Sequence, residues 1–327
     1  MNQPLQDPLL RMLDRYQRDF PLLSSPFTLL AAECGLPEPV LLLRLRQAQR
    51  DGLLSRVGAV FAPNTVGTST LAALAVPPAR LDEVAALVSS LPQVNHNYAR
   101  DHHYNLWFVL TAPERTGIDA ALAQIATLTG LAPLDLPLER EYHIDLGFAL
   151  SQQGPLRRAT VSPPLPPLDA ADRRLIAALG EGLPLLPCPF LPLAAASGLS
   201  EQEVRARLQG WVASGVIRRF GFVLRHHELG FRGNAMCVWQ VPPAARDEIA
   251  ARLAADPAVT LCYARPPRGE HWPYNLFCMI HARDAASARR ELARIASEHA
   301  LQQLPHAMLL STRRYTQRGA RYQQESS

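Results

Sequence analysis

The stretch CGLPEPVLLLRLRQAQRDGLLSRVGAVF, residues 34–61, returns later in the chain as SGLSEQEVRARLQGWVASGVIRRFGFVL, residues 197–224. Gly35, Gly52 and Gly58 fall on Gly198, Gly215 and Gly221. Downstream, VPPARLDEVAALVSSLPQVNHNYAR (76–100) matches VPPAARDEIAARLAADPAVTLCYAR (241–265), and YNLWFVL (104–110) matches YNLFCMI (274–280). The extra residues of the second copy sit in PPRGEHWP, between Arg265 and Tyr274. Spacing changes only where loops are expected, which identifies a tandem duplication. Between the copies GPLRRATVSPPLPPLDAAD (154–172) is proline-rich and lacks periodicity, as a linker does.

Each copy carries the same layout. Helices are expected at Leu9 to Asp19 and Pro26 to Cys34, and again at Asp172 to Leu179 and Phe190 to Ser197. An amphipathic third helix ends at Gly52 or Gly215, and LLSRVGAVF or VIRRFGFVL follows as a wing strand. Beyond it come a strand (Thr70–Val76; Ala235–Val241), a helix (Pro78–Ser90; Pro243–Asp256) and a strand running into the segment before Tyr104 or Tyr274. A strand (Tyr104–Thr111; Tyr274–His281), a helix (Thr116–Thr129; Ala285–Ala300) and a last strand (Leu134–Ile144; Leu304–Tyr315) complete the copy. The order βαββαβ is ferredoxin-like. The fold class is therefore α+β, duplicated, each half a winged helix-turn-helix followed by a ferredoxin-like domain. The expected domains are 1–62 and 63–153, a linker over 154–168, then 169–225 and 226–327. YNLWFVL and YNLFCMI are apolar on both faces, so the two sheets are expected to pack together as a pseudo-dimer within the chain.

Bulk properties exclude several chemistries. Of 327 residues 48% are hydrophobic and 19% charged, and the net charge of +4 is mild. No lysine occurs, so all 33 basic residues are arginine. A pyridoxal Schiff base, a Walker-type lysine and a lysine nucleophile are thereby ruled out. Anions must be held by guanidinium forks or backbone amides. No window approaches 18 apolar residues, and the N-terminus lacks a signal-peptide layout, so a cytoplasmic protein without a membrane span is expected. Cys34, Cys188, Cys237, Cys262 and Cys278 are scattered, which favours buried thiols over a disulfide framework or a zinc site.

The densest chemistry lies in NHNYARDHHYNLWF, residues 95–108. The layout of each half resembles the Lrp/AsnC family of regulators. Specific DNA binding fits poorly, because Val40, Leu41, Leu42, Leu43 and Leu45 make the first recognition helix greasy, and the second, with Arg205 and Arg207, is unlike it. The pattern His96-Asn97-Tyr98-Ala99-Arg100-Asp101-His102-His103-Tyr104-Asn105-Leu106-Trp107-Phe108 more closely resembles the siroheme decarboxylases of haem d1 and alternative haem synthesis. RHHELGFRGNAMCVW (225–239) and WPYNLFCMIHAR (272–283) resemble their partner subunit, and EREYHIDLGF (139–148) and RRYTQRGARY (313–322) fit the two endings. The chain thus looks like a fusion of two subunits.

The resemblance implies a carbon–carbon lyase that removes the carboxyl groups of two acetate side chains of siroheme, giving 12,18-didecarboxysiroheme and carbon dioxide. It implies no cofactor beyond the iron of the substrate, and helix-turn-helix modules kept as scaffold. The alternative is a tetrapyrrole- or amino-acid-responsive regulator of the Lrp/AsnC type. Partners on the enzyme reading are siroheme, with neither specific DNA nor a membrane; a further homodimer and other enzymes of the haem d1 pathway stay open.

Siroheme carries eight carboxylates around an iron macrocycle, so its binder needs arginines, flat apolar surface and imidazoles. Expected substrate-binding residues are Arg56, Arg100, Arg140, Arg218, Arg219, Arg265, Arg268, His271, Tyr263, Tyr274 and Trp107, and Trp272 offers further area. Expected catalytic residues are His96, His102, Tyr98 and Tyr104, with His96 or His102 also open as axial ligand to the substrate iron. Decarboxylation needs a proton donor, and an imidazole with a pKa near 6.5 can serve at neutral pH. Plainer readings stand beside these. His96 follows Val94 at strand spacing and could be a satisfied edge residue; single arginines are usually surface charges. His103 should point away from His102, since side chains alternate along an extended chain. His271 is read as the second-half counterpart of His102, and His226 and His227 as a solvated turn. The halves are not equivalent, Leu261 and Cys262 replacing His96 and Asn97. The acid is therefore assigned to the first half and carboxylate clamping to the second.

Overall fold

A computed structural model of the chain describes residues 7–144, 168–224, 233–319 and 322. The linker up to residue 167, His226 and His227, and parts of the two endings lie outside them. The chain divides into two compact units, one of Met1–Gly67, Gly147–Leu229 and Arg321–Ser327, the other of Thr68–Leu146 and Gly230–Ala320. Each unit draws on both copies of the repeat.

The first unit holds α1 (Pro8–Arg15), α2 (Pro26–Glu33), α3 (Glu38–Arg50) and β1 (Leu54–Phe61), with their repeats α6 (Ala170–Gly180), α7 (Phe190–Ser197), α8 (Glu201–Ala213) and β7 (Ile217–Leu224). The helices start where the sequence supplies caps. Ser200 and Glu203 form a capping box at α8, Asp169 and Asp172 another at α6, and Gly198 ends α7 in the left-handed region. The wings do not stand alone: β1 pairs with β7, and Gly58 lies opposite its own repeat, Gly221. A shared core joins Phe27, Leu41 and Val57 to Phe190, Leu208 and Phe222. The greasy face of α3 is only partly consumed, since Leu41, Leu42 and Leu45 are buried while Leu43 is 58% exposed.

The second unit holds β2 (Thr68–Leu74), α4 (Leu81–Ser90), β3 (Val94–Arg100), β4 (Leu106–Ala112), α5 (Arg115–Thr129), β5 (Leu134–Pro137) and β6 (Arg140–Ile144). The second copy supplies β8 (Gly233–Trp239), α9 (Arg246–Ala255), β9 (Val259–Ala264), β10 (Leu276–Ala282), α10 (Ala285–Glu298) and β11 (His306–Gln317). The strand order β5-β2-β4-β3-β11-β8-β10-β9-β6 is two ferredoxin-like sheets joined by exchange of their last strands. Residues 306–310 of β11 pair with β8, and 311–317 cross to β3. The single strand expected over Leu134–Ile144 is likewise split, β5 pairing with β2 and β6 with β9.

Alternation along β4 and β10 explains why both are apolar throughout. Leu106, Phe108 and Leu110 face the helices of the first copy, and Leu276, Cys278 and Ile280 those of the second. Trp107, Phe277 and Met279 face a core shared by both sheets, together with Leu71, Leu136, Met236, Tyr263, Trp272 and Leu309. The expected intrachain pseudo-dimer is this sandwich. All five cysteines are unpaired; Cys237, Cys262 and Cys278 are buried, whereas Cys34 and Cys188 are half-buried. No single described helix is long and apolar enough to cross a membrane.

Candidate active site

A bulge between Val94 and His96 sets which side chains of β3 face inward. Asn97 turns to the helices, donating to the carbonyl of Ala85 at 3.1 Å and to Ser89 Oγ at 3.0 Å. His96 and Tyr98 lie across from Val109 and Trp107, on the face between the sheets, and Arg100 continues that alternation. The rings of His96 and Tyr98 lie side by side, 6.3 Å apart and 21° from parallel. His96 Nδ1 is 3.0 Å from Asn95 Oδ1. An amide oxygen only accepts, so in this contact Nδ1 is the donor.

His102 has the opposite wiring. Its Nδ1 accepts the backbone N–H of Tyr104 at 3.1 Å, which fixes a neutral ring with hydrogen on Nε2. Burial, and then the neighbouring His103, lower its pKa. Its ring meets Trp272 edge-on at 5.6 Å and lies beside Tyr104. Trp272 is fully buried and also touches Tyr104, Trp107, Tyr274 and Phe277. His103 is exposed and His102 half-buried, in a bend between β3 and β4 rather than on an extended strand. His271 is corrected: it is exposed in the short turn Gly269–His271, and Trp272, two residues before Tyr274 as His102 is before Tyr104, takes the counterpart position. The four expected catalytic residues thus form two pairs, His96 with Tyr98 and His102 with Tyr104.

The seven expected arginines separate by unit. Arg56 on β1 and Arg218 and Arg219 on β7 belong to the first unit, where burial pulls Arg56 below the usual guanidinium range and Arg219 reaches Gln17 at 3.5 Å. In the second unit Arg100 is 8% exposed and donates through Nη1 to the carbonyl of Leu309 at 2.8 Å. Arg265 makes the mirror-image bond to the carbonyl of Leu136 and lies over the Tyr263 ring at 4.8 Å. Arg140 and Tyr142 both bond Asp247, as Arg313 and Tyr315 bond Asp82, each crossed strand gripping a helix of the other copy. Arg268 donates to the Asp135 carbonyl at 2.6 Å. These four arginines therefore have partners within the protein that knit the two copies together. The inward face also carries residues not singled out above as site candidates, among them His281 on β10 and Arg314 on β11. The signal for His281 lay in the duplication, where Thr111 is its repeat.

The architecture and this face define a tandem protein of AsnC-like ligand-binding domains with paired helix-turn-helix modules. The AsnC-like ligand binding domain model matches residues 65–143 and 228–316, and the Siroheme decarboxylase NirDL-like HTH domain model matches 10–54 and 172–218. The chain is 45% identical, over 313 residues, to the siroheme decarboxylase NirDL subunit of Paracoccus denitrificans (strain Pd 1222), covering 95% of this chain and 96% of that one. The chain belongs to the siroheme decarboxylase NirDL family. The separate siroheme decarboxylase NirD subunit of Stutzerimonas stutzeri is 55% identical over 140 residues, covering 43% of this chain and 92% of its own. A crystal structure of the siroheme decarboxylase NirDL in co-complex with an iron-uroporphyrin III analogue matches with a TM-score of 0.68 and 28% identity. That match covers 97% of this chain and 94% of that one.

Proposed function

We propose that this chain is a siroheme decarboxylase, converting two acetate side chains to methyl groups with release of carbon dioxide. Each event takes R–CH2–COO⁻ and one proton to R–CH3 and carbon dioxide, so no oxidant or reductant enters. The observation that carries this reading is His96, held through Nδ1 by Asn95 on an inward face that also bears Tyr98 and Arg100. Electrons of the breaking C–C bond enter the ring system, and a proton must arrive there. His96 keeps its orienting bond on taking up a proton, which suits a general acid. Tyr98 sits beside it, its pKa raised by burial, and so remains a hydrogen-bond donor at neutral pH. His102 would lose the bond to Tyr104 on protonation, so it acts as a neutral Nε2–H donor to a carboxylate, with Tyr104 beside it. Its lowered pKa agrees with that role.

The substrate is siroheme, which brings its own iron. The five unpaired cysteines fit a reducing compartment, and we assign the protein to the cytoplasm. The paired wings and the apolar surface of α3 favour an enzyme over a regulator. Anaerobic siroheme mixed with the purified chain tests the reading, with carbon dioxide and the change in absorption followed together. Release of two equivalents per siroheme supports it, and a shifted spectrum without carbon dioxide favours a tetrapyrrole-responsive binder.

A further inference from the structure

The inward face of the sandwich carries one polar row across four adjacent strands. Arg100 on β3 lies opposite Ser311 on β11. Leu310 lies opposite Ala235, so the next residues, Ser311 and Asn234, fall side by side. Asn234 on β8 lies opposite His281 on β10. At the usual strand spacing the row is roughly 14 Å wide. Three of its atoms are buried without a hydrogen-bond partner: Arg100 Nε, Ser311 Oγ and Asn234 Oδ1. Buried polar groups are almost always satisfied, so three unmet ones in a single row point to a polar ligand. His281 is half-buried and engages Thr260 Oγ1 through Nδ1 at 3.0 Å. Along the same face, Arg314 lies across from Tyr98.

The duplication supplies an internal comparison. Repeat positions of the row are Arg265, Leu138, Ser69 and Thr111, with Ser69 opposite Thr111. Leu138 packs against the shared core where Ser311 has an unmet hydroxyl. Among these four residues only Arg265 has a buried polar atom without a partner, its Nε. Leu261 replaces His96, and Glu141 stands where the first row has Arg314. The first end therefore presents two guanidinium groups and two imidazoles, and the mirror end a guanidinium opposed by a carboxylate. A ligand ringed with carboxylates is drawn more strongly to the first, which carries the larger excess of cationic groups.

We propose that Arg100, Ser311, Asn234 and His281 line the one carboxylated-tetrapyrrole site of the chain, and that the mirror row takes none. This rests on the decarboxylase reading and assigns the second copy a direct contact with substrate through His281.

The test is titration of the full-length chain with iron uroporphyrin III, followed by absorption, alongside thermal melts of every variant. One tetrapyrrole per chain is expected. His281→Thr and Ser311→Leu, each installing the mirror residue, should weaken binding about tenfold or more, as loss of a charge-assisted or buried contact does. Thr111→His and Leu138→Ser should leave affinity and stoichiometry unchanged. Should Ser311→Leu melt early, His281→Thr and the milder His281→Asn carry the comparison. Two tetrapyrroles per chain, or row variants that bind like wild type, overturn the proposal. Carbon dioxide release from siroheme is read on the same wild-type preparation. Its absence with the binding pattern intact removes the decarboxylase reading and leaves the row, whereas its presence with unaffected row variants does the reverse.

Discussion

Arg100 in the first copy donates through Nη1 to the backbone carbonyl of Leu309 in the second, at 2.8 Å, and both residues are buried. The bond holds β11 where it leaves its own sheet for β3. Removing the guanidinium removes this link between the two copies and leaves a large void. Arg100→Ala should therefore lower stability by about 2–4 kcal/mol, read by urea unfolding of the full chain. Unchanged stability would make Arg100 a ligand-binding group alone, as its sequence context suggested.

Gly58 and Gly221 face each other at the centre of the wing pair, yet they should tolerate change unequally. A Cβ at Gly221 would lie 2.2 Å from the Tyr16 carbonyl oxygen, whereas at Gly58 the nearest atoms are 3.6 Å away. Gly221→Ala should cost at least the roughly 1–3 kcal/mol typical of overpacking, and Gly58→Ala less than about 1 kcal/mol. Melting temperatures of the two variants check the contrast.

Stability should fall in mild acid through His281. Burial, and then the charge of Arg100, lower its pKa to about 4 from 6.5. Unfolded chains consequently take up the proton first as the pH drops. The stabilisation carried by the neutral ring is complete above about pH 6.5 and is lost as the pH falls toward 4. His102, lowered in the same direction, adds to the loss. His281→Asn should flatten the decline in melting temperature over that window; an identical pH profile would contradict it.

Specific DNA binding should be absent. Each wing strand is committed to the other, and Leu43 and Val40 occupy the exposed surface of α3. Gel shifts at increasing salt check this, and a salt-resistant, sequence-specific complex would contradict it.

Much of this fold was readable before any coordinates, because duplication exposes boundaries that one copy blurs. The two-faced strands at Tyr104 and Tyr274 announced a buried sandwich, and Leu106 and Trp107 do face different cores. What escaped was long-range. The run Leu134–Ile144 is locally one strand, and only its pairing with β2 and then β9 divides it. Arginine roles escaped for the same reason. Arg140 looks like a carboxylate clamp and is one, but the carboxylate is Asp247. His281 ends an apolar strand in the manner of a solvated residue; the duplication sets it against Thr111, and its spatial neighbours Asn234 and Thr260 make it part of a polar row.

The central claim is that His96 delivers the proton that makes this chain a decarboxylase. Single-turnover carbon dioxide release from anaerobic siroheme, with binding followed separately by absorption, tests it most directly. His96→Ala should keep its fold, bind siroheme and slow release about 10²–10⁴-fold, with His102→Ala affecting binding more than rate. Wild-type release by His96→Ala at saturating siroheme would contradict the account.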